Sequence, residues 1–241
     1  MGISEFGEMD RLSTMANPDI CVITNIGLCH LENLITRDGI LKAKTESFAH
    51  LTPDGIAVLN GDDDKLCDKK VVNGKPAVFY GIEKAAKVAE TEEGTKTLAE
   101  KTVYATNVEA VDLTGTKAAI HYPSKETGGE VTMEVTIPIA GEHNVYNALA
   151  AAAVTLWVGV PAEKLQHALE HLKINGRMEI VYTSEKCCVI VDYAHNAVSM
   201  ESLLATLREY HPKRLVVVFG CGGNRSKDRR YSMGEIGGRM A

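Results

Sequence analysis

Two rhythms of apolar residues divide the chain. Continuous apolar runs bounded by turn residues predict buried strands at 20–23, 56–60 and 77–81. Before the first run, Ile3, Phe6, Met9, Leu12 and Met15 recur every three residues, the mark of an amphipathic helix or its approach over 1–16. Residues 37–51 read as a helix closed by Pro53-Asp54-Gly55. Strand, helix, strand without hairpin turns predicts parallel crossover units. From about 88 to 139 the rhythm becomes alternating. Val131, Met133, Val135, Ile137 and Ile139 share one face, and 101–105 and 118–122 behave alike. This predicts a small antiparallel β-meander inserted into, or flanking, the parallel sheet, with a polar turn at 125–130. An alanine-rich helix over 144–157 and a second over 162–172, opened by Pro161, come next. Ile174-Asn175-Gly176 reads as a hinge. Beyond it, apolar runs at 187–191 and 215–219 predict two further buried strands, with an amphipathic helix over 199–210 between them and helical character from 233. The fold class is therefore α/β: a parallel-sheet domain over 1–175 carrying a small antiparallel β insertion, then the start of a second α/β domain over 176–241. Two parallel strands would leave apolar surface uncovered, so this second part is expected to continue beyond residue 241 or to need a partner.

Bulk properties narrow the function. The 241 residues are 45% hydrophobic and 24% charged, an ordinary soluble globular composition. A net charge of −6 argues against nucleic-acid binding. No apolar run approaches the roughly 20 residues that cross a bilayer, and no signal-peptide pattern opens the chain. The expected location is the cytoplasm. The cysteines form no CxxC pair and three lie in apolar runs, which predicts buried free thiols in a reducing compartment rather than disulfides or zinc.

The candidate chemistry gathers after the first strand. Thr24, Asn25, Gly27, His30, Glu32 and Asn33 follow it, then Lys42, Lys44 and Glu46 on a helix. In α/β proteins ligands sit just past the carboxyl ends of strands, so these groups are well placed. A loop with a solvated helix accounts for the spacing equally well. Asp62, Asp63 and Asp64 offer hard oxygen ligands for Mg²⁺, or a solvated turn. There is no GxxxxGK[ST]. Gly220 to Gly223, Gly222 among them, can present backbone N–H groups to an anion, with Arg225, Lys227, Arg229 and Arg230 beside them. A tight turn with a solvated basic face is the other reading.

Several blocks, in order, resemble the Mur ligases, ATP-dependent enzymes that extend the peptide stem of peptidoglycan precursors. T-N-I-G-L-C-H-L-E-N-L from Thr24, K-A-K-T-E from Lys42 and L-N-G-D-D from Leu59 resemble blocks of that family's central domain. So does G-E-H-N-V-Y-N-A-L-A-A from Gly141. G-R-M-E from Gly176, D-Y-A-H from Asp192 and F-G-C-G-G-N-R from Phe219 resemble the start of its C-terminal, Rossmann-like domain. The resemblance implies a parallel-sheet ATP-binding domain and roles for residues. His30 would be a Mg²⁺ ligand. Lys44, rather than Lys42, would be a carbamylated lysine holding a second Mg²⁺. Asn144 and Asn147 would contact adenine, since a carboxamide both donates and accepts. Arg177 would meet the ATP phosphates across the hinge and Asp192 the ribose hydroxyls. Asn25, His195 and Gly222 would complete the nucleotide set. Read without the resemblance, Asn144 is a helix N-cap, Arg177 a surface charge and Asp192 a strand-end turn.

The implied reaction has two steps. A carboxylate of a UDP-N-acetylmuramoyl-peptide attacks the γ-phosphate of ATP, giving an acyl phosphate and ADP. An amino acid or dipeptide amine then displaces phosphate. The front blocks resemble the enzyme that adds D-Ala-D-Ala. D-Y-A-H and G-C-G-G resemble the tripeptide synthetase that adds diaminopimelate or lysine, and these more discriminating blocks favour it. The resemblance places the phosphate loop upstream of Met1 and the amino-acid-selecting segment after Ala241, so the stretch alone is expected not to turn over ATP. A nonenzymatic nucleotide-binding scaffold, and a relative such as folylpolyglutamate or cyanophycin synthetase, are the alternatives.

Overall fold

The computed structural model describes residues 1–27, 31–91, 94–222 and 227–241. Helix α1 (Glu8–Ala16) leads through Asn17, in the left-handed region, to strand β1 (Ile20–Ile23). The short α2 (Leu31–Leu34) precedes α3 (Arg37–Thr45), capped by the Thr36 side chain accepting from Gly39 N at 3.0 Å. The single helix expected over 37–51 thus divides, since a 3₁₀ turn (Glu46–His50) takes its last residues. Strand β2 (Ile56–Asn60), a hairpin of β3 (Val71–Val72) and β4 (Lys75–Pro76), and β5 (Val78–Ile82) come next. A second hairpin, β6 (Val88–Thr91) with β7 (Gly94–Thr97), precedes β8 (Val103–Asp112), β9 (Gly115–Pro123) and β10 (Glu130–Ile137). Helices α4 (Glu142–Trp157) and α5 (Ala162–Glu170) follow, then β11 (Glu179–Thr183), β12 (Cys188–Val191), α6 (Ala197–Arg208) and α7 (Lys227–Met240).

One six-stranded sheet runs in the order β1-β2-β5-β8-β9-β10. Its first four strands are parallel and its last three are antiparallel, with β8 shared. The alternating stretch is therefore a continuation of the parallel sheet, joined where Tyr80, Gly81 and Ile82 pair with Val103, Tyr104 and Ala105. Period-two geometry then splits the core. Val58, Tyr80, Ile82 and Ala105 face α4 through Val145, Ala148, Leu149 and Ala152. Ala57, Leu59 and Phe79 face the other way, with Met9, Ile40 and Ala43 of the first helices. Both faces of the parallel half are covered, as its unbroken apolar strands require. Leu149 is fully buried, so truncating it to alanine would cost about 2–5 kcal/mol.

The C-terminal part departs from the expected pattern. The run at 187–191 does contain a strand, but β12 pairs antiparallel with β11 rather than entering a parallel sheet. Cys187 and Cys188 are exposed, against the expectation of buried thiols, whereas Cys21 and Cys67 are buried and Cys221 is half-buried. Cys29 lies outside the described residues. The run 215–219 forms no strand. Leu215 and Val217 pack on Met200, Leu204, Met233 and Ile236, while Val216 and Val218 point outward, Val218 at 94% exposure. Alternation is present there, but no ladder partner is present among the described residues. None of the described helices is long and apolar enough to cross a membrane.

Candidate nucleotide site

The parallel strands end on a polar cleft of about 330 Å³ lined by Thr24, Asn25, Asn60, Tyr80, His143, Tyr146 and Asn147. Thr24 and Asn25 follow β1, Asn60 ends β2 and Tyr80 lies in β5. The first turns of α4 supply His143, Tyr146 and Asn147. His143, Tyr146 and Asn147 lie at helical spacing and share one side of α4, while Val145, Ala148 and Leu149 turn to the sheet. Gly141 starts this helix at φ +104°, and a Cβ there would come within 2.7 Å of the His143 ring. Glycine is needed both for the backbone and for the space.

The predicted residues divide between lining the cleft and standing behind it. Asn25 and Asn147 line it. Lys44 Nζ donates to Asn25 O at 2.8 Å, so the lysine sits directly behind that wall. Lys42 instead lies over the Phe6 ring at 5.6 Å, on another side of α3. Asn144 is one layer back: its Nδ2 donates to Ala140 O at 2.8 Å and lies 3.1 Å from His143 Nε2, while its Oδ1 accepts from Asn147 Nδ2 at 3.3 Å. Its amide therefore orients the two side chains that reach the cleft. His30 lies outside the described residues.

Beyond residue 176, Asp192 closes the end of β12. Oδ2 accepts from Met178 N at 2.9 Å and Oδ1 from Ala194 N at 2.7 Å, a strand-end turn that also fastens the residue after Arg177. The Arg177 guanidinium lies over the Tyr193 ring at 4.9 Å. His195 Nδ1 is 3.0 Å from Tyr193 O. Gly222 is exposed, with open space around it, and Arg225 lies outside the described residues. Burial holds the His143 imidazole below its ordinary value, against the opposing charges of Asp192 and of Glu142 beside it.

The three consecutive carboxylates are all occupied. Asp62 pairs with the buried Lys101 at 2.7 Å. Asp63 accepts from Ile26 N at 2.8 Å and from Lys65 N and Leu66 N. Asp64 accepts from Arg37 Nη1 at 2.9 Å, and that guanidinium holds its carboxyl below the ordinary range. Each carboxylate therefore has a structural role in the fold. No group of three His, Cys, Asp or Glu is placed to hold a metal among the described residues.

Sequence reasoning missed His143 and Tyr146 as cleft residues. The G-E-H-N-V-Y-N block was read for its two asparagines. The i, i+3, i+4 spacing of 143, 146 and 147 would have put all three on one side of the helix.

A polar cleft past the carboxyl ends of parallel strands is where α/β proteins hold ligands, and here α4 walls it. Comparison with known proteins makes the class specific. The Mur ligase middle domain matches residues 1–155, and the Mur ligase glutamate ligase domain matches residues 176–241. The UDP-N-acetylmuramoyl-L-alanyl-D-glutamate--2,6-diaminopimelate ligase of Bacillus velezensis is 35% identical over 231 residues, which is 92% of this chain and 42% of that protein. A crystal structure of MurF from Acinetobacter baumannii superposes with a TM-score of 0.69 at 30% identity, covering 86% of this chain and 41% of that one. A pseudomurein peptide ligase type C from Methanothermus fervidus gives 0.74 at 27% identity, covering 96% of this chain and 49% of that one. This chain belongs to the Mur ligase family. It spans less than half the length of these relatives.

Proposed function

We propose that the cleft binds the adenosine part of ATP. The chain would serve an ADP-forming ligase that joins an amino acid to a UDP-N-acetylmuramoyl-peptide, the diaminopimelate-adding step being the favoured one. The observation that carries this reading is the convergence of Asn25, Asn60, His143 and Asn147 on one cleft at the ends of the parallel strands. Carboxamides there can read the donor and acceptor edge of adenine. Asn147 is the direct contact and Asn144 its support. Arg177 and Asp192 meet phosphate and ribose from beyond the hinge, His195 and Gly222 belong to the same side, and Lys44 stands behind Asn25.

In this reading the substrate carboxylate attacks the γ-phosphorus and the bond to the β-γ bridging oxygen breaks, releasing ADP. The amine of the incoming amino acid then adds to the acyl phosphate carbon, loses a proton, and inorganic phosphate leaves. The protein's part is positioning and neutralisation of charge. Because Asp62, Asp63 and Asp64 are committed elsewhere, no step is assigned to a metal held by them. His30 and a carbamylated Lys44 are the proposed Mg²⁺ ligands, and that ion would neutralise phosphate charge.

The choice of amino acid rests on the name of the Bacillus velezensis relative. The MurF likeness supports a second reading, addition of D-Ala-D-Ala. Release of ADP by the native polypeptide that contains this sequence separates them. With UDP-N-acetylmuramoyl-L-alanyl-D-glutamate as acceptor, diaminopimelate should stimulate release. Stimulation only by D-Ala-D-Ala, with a tripeptide acceptor, would move the assignment to the second reading. Stimulation by neither would remove both readings.

A further inference from the structure

The Asp62 side chain ties together three walls of the cleft without lining it. Its backbone N donates to Asn60 Oδ1 at 2.9 Å, closing the turn after β2. Oδ2 accepts from Ile82 N at 2.8 Å, fixing the end of β5 just past Tyr80. The same oxygen accepts from the Tyr146 hydroxyl at 3.0 Å, fixing α4 between His143 and Asn147. Oδ1 faces Lys101 Nζ at 2.7 Å, and that lysine side chain is fully buried, its other contact being Ala85 O at 3.0 Å. Gly81 makes room, because a Cβ there would overlap the Asp62 carboxylate.

A buried ion pair is an expensive way to stabilise a fold, since desolvation offsets much of the attraction. What this one provides is geometry. The Tyr146 ring is a wall shared by the nucleotide cleft and by a neighbouring cleft of about 430 Å³ that reaches α6. A shift of the first turns of α4 would carry His143 and Asn147 with it, and the Tyr146–Asp62 bond opposes that shift.

We propose that Tyr146 is a positioning residue for the nucleotide, locked by Asp62 and Lys101 so that α4 presents His143 and Asn147 to the cleft at a fixed distance from Asn60 and Tyr80. The inference rests on the nucleotide reading of the cleft given above.

The test is ADP binding by calorimetry to the native polypeptide that contains this sequence, beside thermal melting. Tyr146→Phe keeps the ring and removes only the hydroxyl. The dissociation constant for ADP should rise about tenfold, beyond any change in the folded fraction at the assay temperature. A hydroxyl with a merely structural role would lower the melting temperature and leave the affinity of the folded protein unchanged, and that result overturns the proposal. Gly81→Ala reaches the same bond from the other side by displacing the carboxylate. It should weaken ADP binding similarly, and it decides the matter if Tyr146→Phe does not fold. Unmodified protein that fails to bind ADP refutes the nucleotide reading itself. Unmodified protein that binds ADP as tightly as a folded Tyr146→Phe variant refutes only the role of Tyr146.

Discussion

Replacing Lys101 with methionine should be among the most damaging single changes in the parallel half of the sheet. The Lys101 side chain is 0% exposed and its partner Asp62 is 10% exposed. Methionine keeps most of the stem, which lies against Gly61 and Gly81, so little packing is lost. What disappears is the counter-charge. Asp62 would keep two neutral donors, Ile82 N and the Tyr146 hydroxyl, around a carboxylate that remains out of water. Breaking a buried pair in this way costs about 3–5 kcal/mol. Set against a typical stability of about 5–15 kcal/mol, that is a large share. In urea, with a slope of about 3 kcal/mol/M, the midpoint should fall by roughly 1 M or more. Adding Asp62→Asn to Lys101→Met removes the stranded charge and keeps an oxygen for Ile82 N and Tyr146, so most of the loss should return. A Lys101→Met midpoint within about 0.3 M of the unmodified protein, on the same slope, would refute the claim that this pair is a buried electrostatic unit.

The Arg37–Asp64 pair has a pH signature. Arg37 depresses the Asp64 carboxyl, so the pair's contribution is full above the unfolded carboxylate value of about 4 and is lost as pH falls through the depressed folded value. Arg37→Met should therefore lower the melting temperature at pH 7 and lower it much less near pH 3. An equal loss at both pH values would contradict this. Gly141→Ala should destabilise the chain by about 1 kcal/mol or more, because φ is +104° and the new Cβ would press on the His143 ring; chemical denaturation measures it. Thiol labelling followed by fragmentation mass spectrometry that assigns each site should modify Cys187 and Cys188 at least about tenfold faster than Cys21, which is buried and whose thiol burial pushes up. Equal rates would show that the structure around Cys21 opens freely.

The parallel half of the fold was legible because its strands are continuous apolar runs stopped by Asn, Gly and Asp, as in Ile56–Asn60 followed by Gly61 and Asp62. The alternating stretch was legible as antiparallel, but its register with β5 was not. Only tertiary pairing decides that Val103 lies beside Tyr80. The short β3–β4 hairpin turns on Asn73-Gly74, a recognisable turn signal flanked by strands of only two residues each. The run at 215–219 misled because a continuous apolar run says nothing about a ladder partner. In the site, residue types were readable and their commitments were not. Three adjacent aspartates look like metal ligands in one dimension, and each is consumed by Lys101, Ile26 or Arg37 only once the chain has folded. Asn144 and Asn147 were both expected at the nucleotide, yet hydrogen bonding puts one at the cleft and the other behind it.

The central claim is that adenine nucleotide sits among the ends of β1, β2 and β5 and the first turns of α4. Amide and side-chain NMR shifts of the isotopically labelled native polypeptide that contains this sequence, followed during an ADP titration, test it most directly. The account predicts saturable shifts centred on Asn25, Asn60, Tyr80, His143 and Asn147, strongly weakened by Asn147→Ala. Saturable shifts centred elsewhere, or none at millimolar ADP, would contradict it.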